Sequence, residues 1–211
     1  MLFRSPGMRG TPADVGDPAA LQRAVAEAAA WLGDISVLVN NVGIGGPRAA
    51  VEDIALADWQ RTLDVNVTAM FIAMQAVIPG MKRRGGGVIV NFSTGSTRTR
   101  LPHRTAYVVS KFAVEGLTLN AARELGPHNI RVNAILPGIV EGPRMTGVIA
   151  ARAKQTSVSF EAMEKTYLDR VSLRRMVTAG DVAATVAYLL SPAGRNISGQ
   201  SLGVDGNVEV L

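Results

Sequence analysis

Tyr107 and Lys111 stand four residues apart in the stretch Tyr107-Val108-Val109-Ser110-Lys111. Side chains at positions i and i+4 lie on the same face of a helix. A phenol ordinarily has a pKa of about 10 and is a poor base at neutral pH, but a fixed ammonium ion nearby favours its phenolate form. The pair could therefore act as a general acid/base that exchanges a proton with an alcohol or a ketone. Similar pairs occur by chance on solvated helices, so the assignment depends on the surrounding sequence.

Helix-like and strand-like segments alternate along the chain. Apolar residues recur at helical spacing from Thr105 to Leu125, which predicts a helix that carries Tyr107 and Lys111. The other predicted helices cover residues 17–32, 58–84 and 181–190, and the predicted strands cover 35–39, 88–92, 131–136 and 200–204, with a strand end within 10–15. Residues 141–172 have a less regular pattern. This alternation predicts an α/β fold, a Rossmann-like doubly wound parallel sheet covered by helices on both faces.

Polar and glycine-rich segments follow the predicted strands. They are Asp14, Asn40 to Gly43, Ser93 to Ser96, and Pro137 to Val140. In open parallel sheets, ligands bind at the carboxyl ends of the strands. We therefore expect these four segments to meet at one edge of the sheet and to form a binding site beside the helix that carries Tyr107.

Composition narrows the function classes. The 211 residues predict one domain, and the absence of cysteine excludes both a disulfide framework and a thiolate metal site. The net charge of +5 is scattered and forms no nucleic-acid-binding stripe. No uninterrupted apolar run approaches the roughly 20 residues that span a bilayer, and no signal peptide is apparent. We expect a cytoplasmic protein that binds neither nucleic acid nor membrane.

Five motifs in order resemble those of the short-chain dehydrogenase/reductase family. They are Asn40-Asn41-Val42-Gly43, Asp64-Val65-Asn66-Val67, the Tyr107 to Lys111 segment, Ile130-Arg131-Val132-Asn133 with Pro137-Gly138, and Gly199-Gln200 with Val204-Asp205-Gly206. The resemblance covers residues 9–207. It implies an oxidoreductase that uses NAD or NADP to interconvert a secondary alcohol and a ketone, or a 3-oxoacyl-type carbonyl.

The resemblance implies four catalytic residues. Tyr107 would transfer the proton, and Lys111 would support the phenolate and bind the nicotinamide ribose. Asn66 would kink its helix and hold a water in a relay to Lys111. Thr94 occupies the position of the family's catalytic serine, thirteen residues before the tyrosine. Ser93 and Ser96 remain alternatives for the catalytic hydroxyl.

The resemblance also implies a set of cofactor contacts. Asp14 would accept a hydrogen bond from the adenine amino group, although an acidic residue before a helix is also a common turn former. Val15 would lie beside it, and the adenosine ribose and nicotinamide would be lined by Asn41, Val42, Gly43, Pro137, Gly138 and Val140, together with Tyr107 and Lys111. Asn40 more naturally ties neighbouring strands together. No metal site is implied.

Two segments of the chain differ from the family pattern. The family's first strand, its T-G-x-x-x-G-x-G turn and its second strand should precede Gly10, and no room is left for them. We therefore expect residues 1–211 to be a partial domain that lacks the first two strands and the phosphate-binding turn. Glu141-Gly142-Pro143-Arg144 stands where many relatives have a threonine that contacts the carboxamide. Residues 141–172 occupy the place of the substrate lid.

Three functions stay open from the sequence. The parent protein is an oxidoreductase that forms homodimers or homotetramers through the helices over 58–84 and 105–126. Alternatively, the 211 residues are a catalytically incompetent fragment of that enzyme. A third reading is a non-catalytic binding protein on the same fold, since fold does not fix function. The sequence does not decide the substrate, the reaction direction or the choice between NAD and NADP.

Overall fold

A single parallel sheet lies at the centre of the computed structural model, which describes residues 7–208. The strands are β1 (Val37–Asn40), β2 (Gly87–Phe92), β3 (Ile130–Pro137) and β4 (Ser201–Val204). They pair in the order β1-β2-β3-β4, and every pair is parallel. Each connection between successive strands passes through at least one helix. The predicted α/β class and parallel sheet are confirmed, and the four sequence-predicted strands agree with the observed ones to within two residues.

Eight α-helices occur within residues 7–208. They are α1 (Pro18–Leu32), α2 (Leu56–Leu63), α3 (Ala69–Arg83), α4 (Ser96–Thr99), α5 (Thr105–Leu125), α6 (Pro143–Thr156), α7 (Phe160–Leu168) and α8 (Ala179–Leu190). A π-helical turn, Asp64–Thr68, joins α2 to α3. Short 3₁₀ turns cover Val51–Asp53, Gly126–His128 and Pro192–Gly194. Helix α5 begins and ends where the apolar periodicity predicts.

Apolar clusters cover both faces of the sheet. On one face, Met74, Val77 and Met81 of α3 pack with Ala121 and Leu125 of α5 against the sheet. On the other face, α8 closes a second cluster, whose buried members are Val90, Ile135, Val177, Val182 and Leu189. The helical stretch Leu56–Arg83 is long and apolar enough to cross a membrane by length and composition, but half of its most apolar window is buried inside the protein. This stretch therefore serves as a core helix of the fold.

The long helical stretch predicted over 58–84 is confirmed: the helix is continuous over Leu56–Arg83 and contains the π-helical turn. Two other sequence predictions about local structure were wrong. Residues 10–15 form no strand; no described strand pairs with them, and Pro12 has no N–H to donate. Residues 141–172, which looked irregular, contain α6 and α7, because Ile149, Ala153 and Met163 form a small apolar cluster between these helices.

Strand β1 is the open edge of the sheet. It pairs with β2 on one side and with no described strand on the other. Its apolar side chains are partly exposed: Val37 is 37% exposed and Val39 is 41% exposed. An apolar edge strand without charged guard residues presents unpaired backbone groups to other chains.

Candidate active site

Lys111 lies buried one helical turn after Tyr107 on α5. Only 4% of its surface is exposed, and its Nζ donates a hydrogen bond to the carbonyl oxygen of Phe92, 2.8 Å away. The same Nζ lies 5.9 Å from the centre of the Tyr107 ring. Burial lowers the pKa of Lys111 to about 8, so the group still carries its proton at neutral pH. An ammonium group has three donors, and two remain for a ligand after the bond to Phe92.

Asn66 connects the loop after β1 to helix α5. It is fully buried in the π-helical turn, and its side-chain oxygen accepts a hydrogen bond from the N–H of Ile44 at 2.8 Å. Its Nδ2 donates to the carbonyl oxygen of Ile44 and to Oγ of Ser110, both at 2.9 Å. These three bonds use most of the capacity of one amide. The turn departs from α-helical winding at Asn66, as the resemblance implied.

Gly43, a predicted cofactor contact, lies beside two predicted catalytic residues, Asn66 and Lys111. A Cβ built on Gly43 would lie 3.1 Å from Oδ1 of Asn66 and 3.3 Å from Nζ of Lys111. The loop backbone therefore approaches both side chains closely, and a larger residue would crowd them. Asn41, Val42 and Gly43 are all exposed, so this loop is open to a ligand at the carboxyl end of β1.

The three candidate hydroxyl groups after β2 have different partners. Ser93 donates to Oε1 of Glu115 at 2.9 Å, with a longer contact to the carbonyl oxygen of Lys111, so it is engaged with α5. Thr94 donates to Oγ of Ser96 at 3.2 Å and accepts from the Ser96 N–H at the same distance. Thr94 is 8% exposed. Ser93 is thereby occupied structurally, while Thr94 and Ser96 remain a linked pair.

The predicted adenine-side residues form a turn before α1. Oδ1 of Asp14 accepts from the N–H of Gly16 at 2.9 Å, which is the turn-forming contact considered in the sequence. Val15 is half-buried against Leu21 and its neighbours in a small cluster that also contains Ala69 and Ile72. A Cβ on Gly16 would lie 3.5 Å from Val65, the residue before Asn66. The Asp14 turn and the Gly43 loop therefore flank adjacent residues of the π-helical turn.

The segment after β3 is held by the last strand. Pro137 accepts from the N–H of Gly95, and the N–H of Gly138 donates to Val204. A Cβ on Gly138 would lie 2.7 Å from Cα of Asp205, so only glycine fits at this position. Val140 is half-buried and pairs with Val177 in an isolated bridge beyond β3.

The motifs did not identify some contacts that hold the site together. Ser110, inside the Y-x-x-x-K motif itself, accepts the bond from Asn66, and its position one residue before Lys111 was the available signal. Asn40 donates to Asn91 at 2.9 Å across β1 and β2, so the prediction that it ties strands together is confirmed. Asn91 in turn donates to Thr118 of α5, which the sequence gave no reason to expect.

Comparisons with known proteins place this arrangement in a family. A family model described as enoyl-(acyl carrier protein) reductase matches residues 3–208. The chain is 38% identical over 196 residues to a probable galactose dehydrogenase of Rhizobium meliloti, covering 93% of this chain and 73% of that protein. It is 40% identical over 195 residues to a 3-alpha-(or 20-beta)-hydroxysteroid dehydrogenase of Mycobacterium tuberculosis, covering 92% of this chain and 68% of that protein.

Solved structures share both the fold and part of the sequence. An NAD⁺-bound xylitol dehydrogenase superposes with a TM-score of 0.84 at 32% identity, covering 92% of this chain and 76% of that one. An actinorhodin polyketide ketoreductase with NADPH superposes with a TM-score of 0.86 at 32% identity, covering 93% and 76%. The fold, the site and these similarities define an NAD(P)-dependent oxidoreductase. The chain belongs to the short-chain dehydrogenase/reductase family.

Proposed function

We propose that this protein interconverts a secondary alcohol and a ketone, with Tyr107 and Lys111 as its proton-transfer pair. The observation that carries the proposal is the position of Lys111. Its ammonium group is buried, anchored to Phe92, one turn from Tyr107 and close to the backbone of Gly43. A buried, anchored cation one turn from a phenol is the arrangement in which a tyrosine can serve as a positioned general acid/base.

Tyr107, Thr94 and Asn66 have different roles in the proposed reaction. In the reducing direction, Tyr107 gives its hydroxyl proton to the carbonyl oxygen of the substrate, and the carbonyl carbon receives a hydride. Oxidation reverses both transfers. Thr94 donates a hydrogen bond to the same oxygen, in the manner of an oxyanion donor, with Ser96 as its hydrogen-bonded neighbour. Asn66 holds the Gly43 loop and α5 in register, and a water bound near it would link Lys111 to solvent.

The exposed loop after β1 fits a dinucleotide. Gly43 carries no side chain where a Cβ would crowd Lys111, and Lys111 keeps two donors for ribose hydroxyls. Asn41 and Val42 would line the adenosine ribose, Asp14 and Val15 the adenine, and Pro137, Gly138 and Val140 the nicotinamide. NAD or NADP, when bound, supplies or accepts the hydride.

Helix α5 carries the surface that we assign to a homo-oligomer. Phe112 is 49% exposed and Leu119 is 54% exposed, and with Val109 and Gly116 they form an outward apolar stripe. On α3, Ala69, Met70, Ala73 and Met74 are already buried in the core, so we do not assign the oligomer surface to them. Dimers or tetramers would bury the α5 stripe. We assign α6 and α7 to the substrate lid and the protein to the cytoplasm.

The open edge of β1 favours a second candidate. With Val37 and Val39 exposed and no T-G-x-x-x-G-x-G turn in the sequence, residues 1–211 alone would bind cofactor too weakly to turn over. This candidate concerns the isolated chain and leaves the chemistry of Tyr107 and Lys111 unchanged.

The experiment follows nicotinamide absorbance in the presence of a panel of secondary alcohols and ketones, with NAD and NADP supplied separately. Wild type is compared with Lys111→Met, which keeps an apolar stem but removes the cation. Both proteins carry a relative's two strands and T-G-x-x-x-G-x-G turn ahead of Gly10. We expect turnover by the protein without the substitution and a loss of at least a hundredfold in the variant. Equal rates for the two proteins would overturn the assignment.

A further inference from the structure

Four arginines lie close together beside the candidate active site. Arg48 and Arg144 line a cavity of about 270 Å³ together with Arg152 and Tyr167. Arg104 adjoins this group, because its guanidinium lies 2.7 Å and that of Arg144 lies 3.8 Å from a Cβ built on Gly45. The four residues come from three separate segments of the chain, and folding brings them to one place.

No described carboxylate compensates these charges. Within residues 7–208, the ion pairs involve Arg83, Arg98 and Lys165 and none of the four arginines. Arg104 donates from Nη2 to the carbonyl oxygen of Gly45, while its buried Nε has no hydrogen-bond partner. Burial lowers the pKa of Arg104, and the charges of Arg48 and Arg144 lower it further. Several guanidinium groups held together without an anion repel one another.

The cluster reaches the reacting group directly. The guanidinium carbon of Arg104 lies 5.1 Å from the centre of the Tyr107 ring. Helices α6 and α7, which carry Arg144, Arg152 and Tyr167, form the other wall of the cavity. Arg104 therefore links the arginine cluster to the residue that we assign to proton transfer.

We propose that Arg48, Arg104 and Arg144 bind an oxyanion carried by the substrate itself. The inference rests on the proposed function and specifies its substrate class as secondary alcohols or ketones that bear a carboxylate or a phosphate near the reacting carbon. Guanidinium groups match both anions, because their planar donors pair with two oxygens at once. The cavity of about 270 Å³ has room for a small anionic group while the carbonyl of the same substrate lies at Tyr107.

The test compares ligands that differ in charge and little else. Acetoacetate is set against acetoacetamide, and hydroxyacetone phosphate against hydroxyacetone, so that the two pairs separate a carboxylate from a phosphate. Binding is measured first, without turnover, by the shifts of arginine Nε–H signals in NMR titrations; kcat/KM with NAD or NADP follows. The proteins are wild type, Arg104→Gln, Arg144→Gln and a control, Arg195→Gln, whose exposed side chain has no described partner.

We expect at least one anionic ligand to bind and turn over better than its neutral counterpart. Arg104→Gln and Arg144→Gln should each reduce the ratio of anionic to neutral ligand binding and kcat/KM about tenfold to a hundredfold, while the Arg195 control keeps the wild-type ratio. Arg144→Lys should recover part of it, because it restores the charge without the planar fork. Circular dichroism confirms that each variant is folded.

Two outcomes would overturn the inference. One is equal binding of acid and amide, and of phosphate and free alcohol, by the wild-type protein. The other is a loss of NAD or NADP affinity in the arginine variants with no change in the charge preference, which would assign the cluster to the cofactor. The proposed function fails separately: in the chain extended by a relative's N-terminal strands and T-G-x-x-x-G-x-G turn, anion binding that depends on Arg144 without any hydride transfer would retain the anion site and reject the proposed alcohol–ketone interconversion.

Discussion

The candidate site lies between two regions that differ in packing: one around β2, β3 and α5, and one around β1 and the turn at Asp14. Around β2, β3 and α5, Asn66, Asn91 and Lys111 are buried and hydrogen-bonded. Around β1 and the turn at Asp14, the strand edge is open, the loop residues are exposed, and residues 10–15 form no strand. The residues that we propose for proton transfer are thus held by contacts inside the described chain, whereas the proposed adenosine side lies on surfaces that no strand within residues 7–208 covers.

Tyr107→Phe tests the packed side most severely. The change keeps the ring and removes the hydroxyl, so the stack with Arg104 and the stability of α5 should change little. We expect kcat to fall by about a hundredfold to ten-thousandfold, the usual value of a positioned general acid/base. Cofactor affinity, measured by calorimetry, should stay largely intact. A variant that keeps more than a tenth of wild-type kcat would remove Tyr107 from the chemistry.

Thr94→Val should have the next largest effect. Valine has nearly the shape of threonine but cannot donate, and loss of one oxyanion donor costs about a hundredfold or more in kcat. Thr94→Ser should stay close to wild type. Ser93→Ala should leave kcat close to wild type and lower stability by about 1 kcal/mol, since it loses the bond to Glu115. If Ser96→Ala abolishes turnover and Thr94→Val does not, Ser96 is the catalytic hydroxyl.

Gly43→Ala examines the boundary between the two regions. The new Cβ would lie 3.1 Å from an Asn66 oxygen that already accepts from Ile44, so the loop has to shift away from Lys111. We expect cofactor affinity to fall about tenfold, or about 1.4 kcal/mol. Gly116→Ala on α5 is the matched control, because a Cβ there meets nothing within 4 Å. Unchanged affinity in Gly43→Ala would place the cofactor away from this loop.

Lys111→Met separates stability from catalysis on the packed side. Because burial lowers the folded-state pKa of Lys111 from 10.5 to about 8, the unfolded chain binds more protons between those pH values, and wild-type stability rises with pH across that window. The variant should therefore be more stable than wild type by about 1–3 kcal/mol at pH 7, with the gain shrinking towards pH 10. Urea unfolding at both pH values checks this. Exposed Lys154→Met should show no such trend.

Local patterns predicted the parts of the fold that depend on nearby residues. The apolar repeat fixed both ends of α5, and Asp17 followed by Pro18 marked the start of α1, where the Asp17 side chain accepts from Ala19. The strands were predicted because short β-branched runs bounded by glycine and polar residues have few alternatives. The family resemblance, rather than spacing, implied that Asn66, Lys111 and Gly43 belong to one site, and the structure brings them together.

Contacts between distant segments could not be predicted from local pattern. The π-helical turn is accompanied by the bonds of Asn66 to Ile44 and to Ser110, which lie 22 and 44 residues away. The arginine cluster assembles from the β1 loop, the start of α5 and α6. In each case the determining partner is remote in sequence, so periodicity carries no signal for it.

The comparison between the packed and open regions is tested most directly by one calorimetric measurement of NAD and NADP binding. Residues 1–211 are compared with a chimera in which a relative's two strands and T-G-x-x-x-G-x-G turn precede Gly10. If the turn and its helix terminus contribute even about 3–4 kcal/mol, the chimera should bind two to three decades more tightly and gain turnover. Micromolar cofactor binding and full turnover by the 211-residue chain alone would contradict the account.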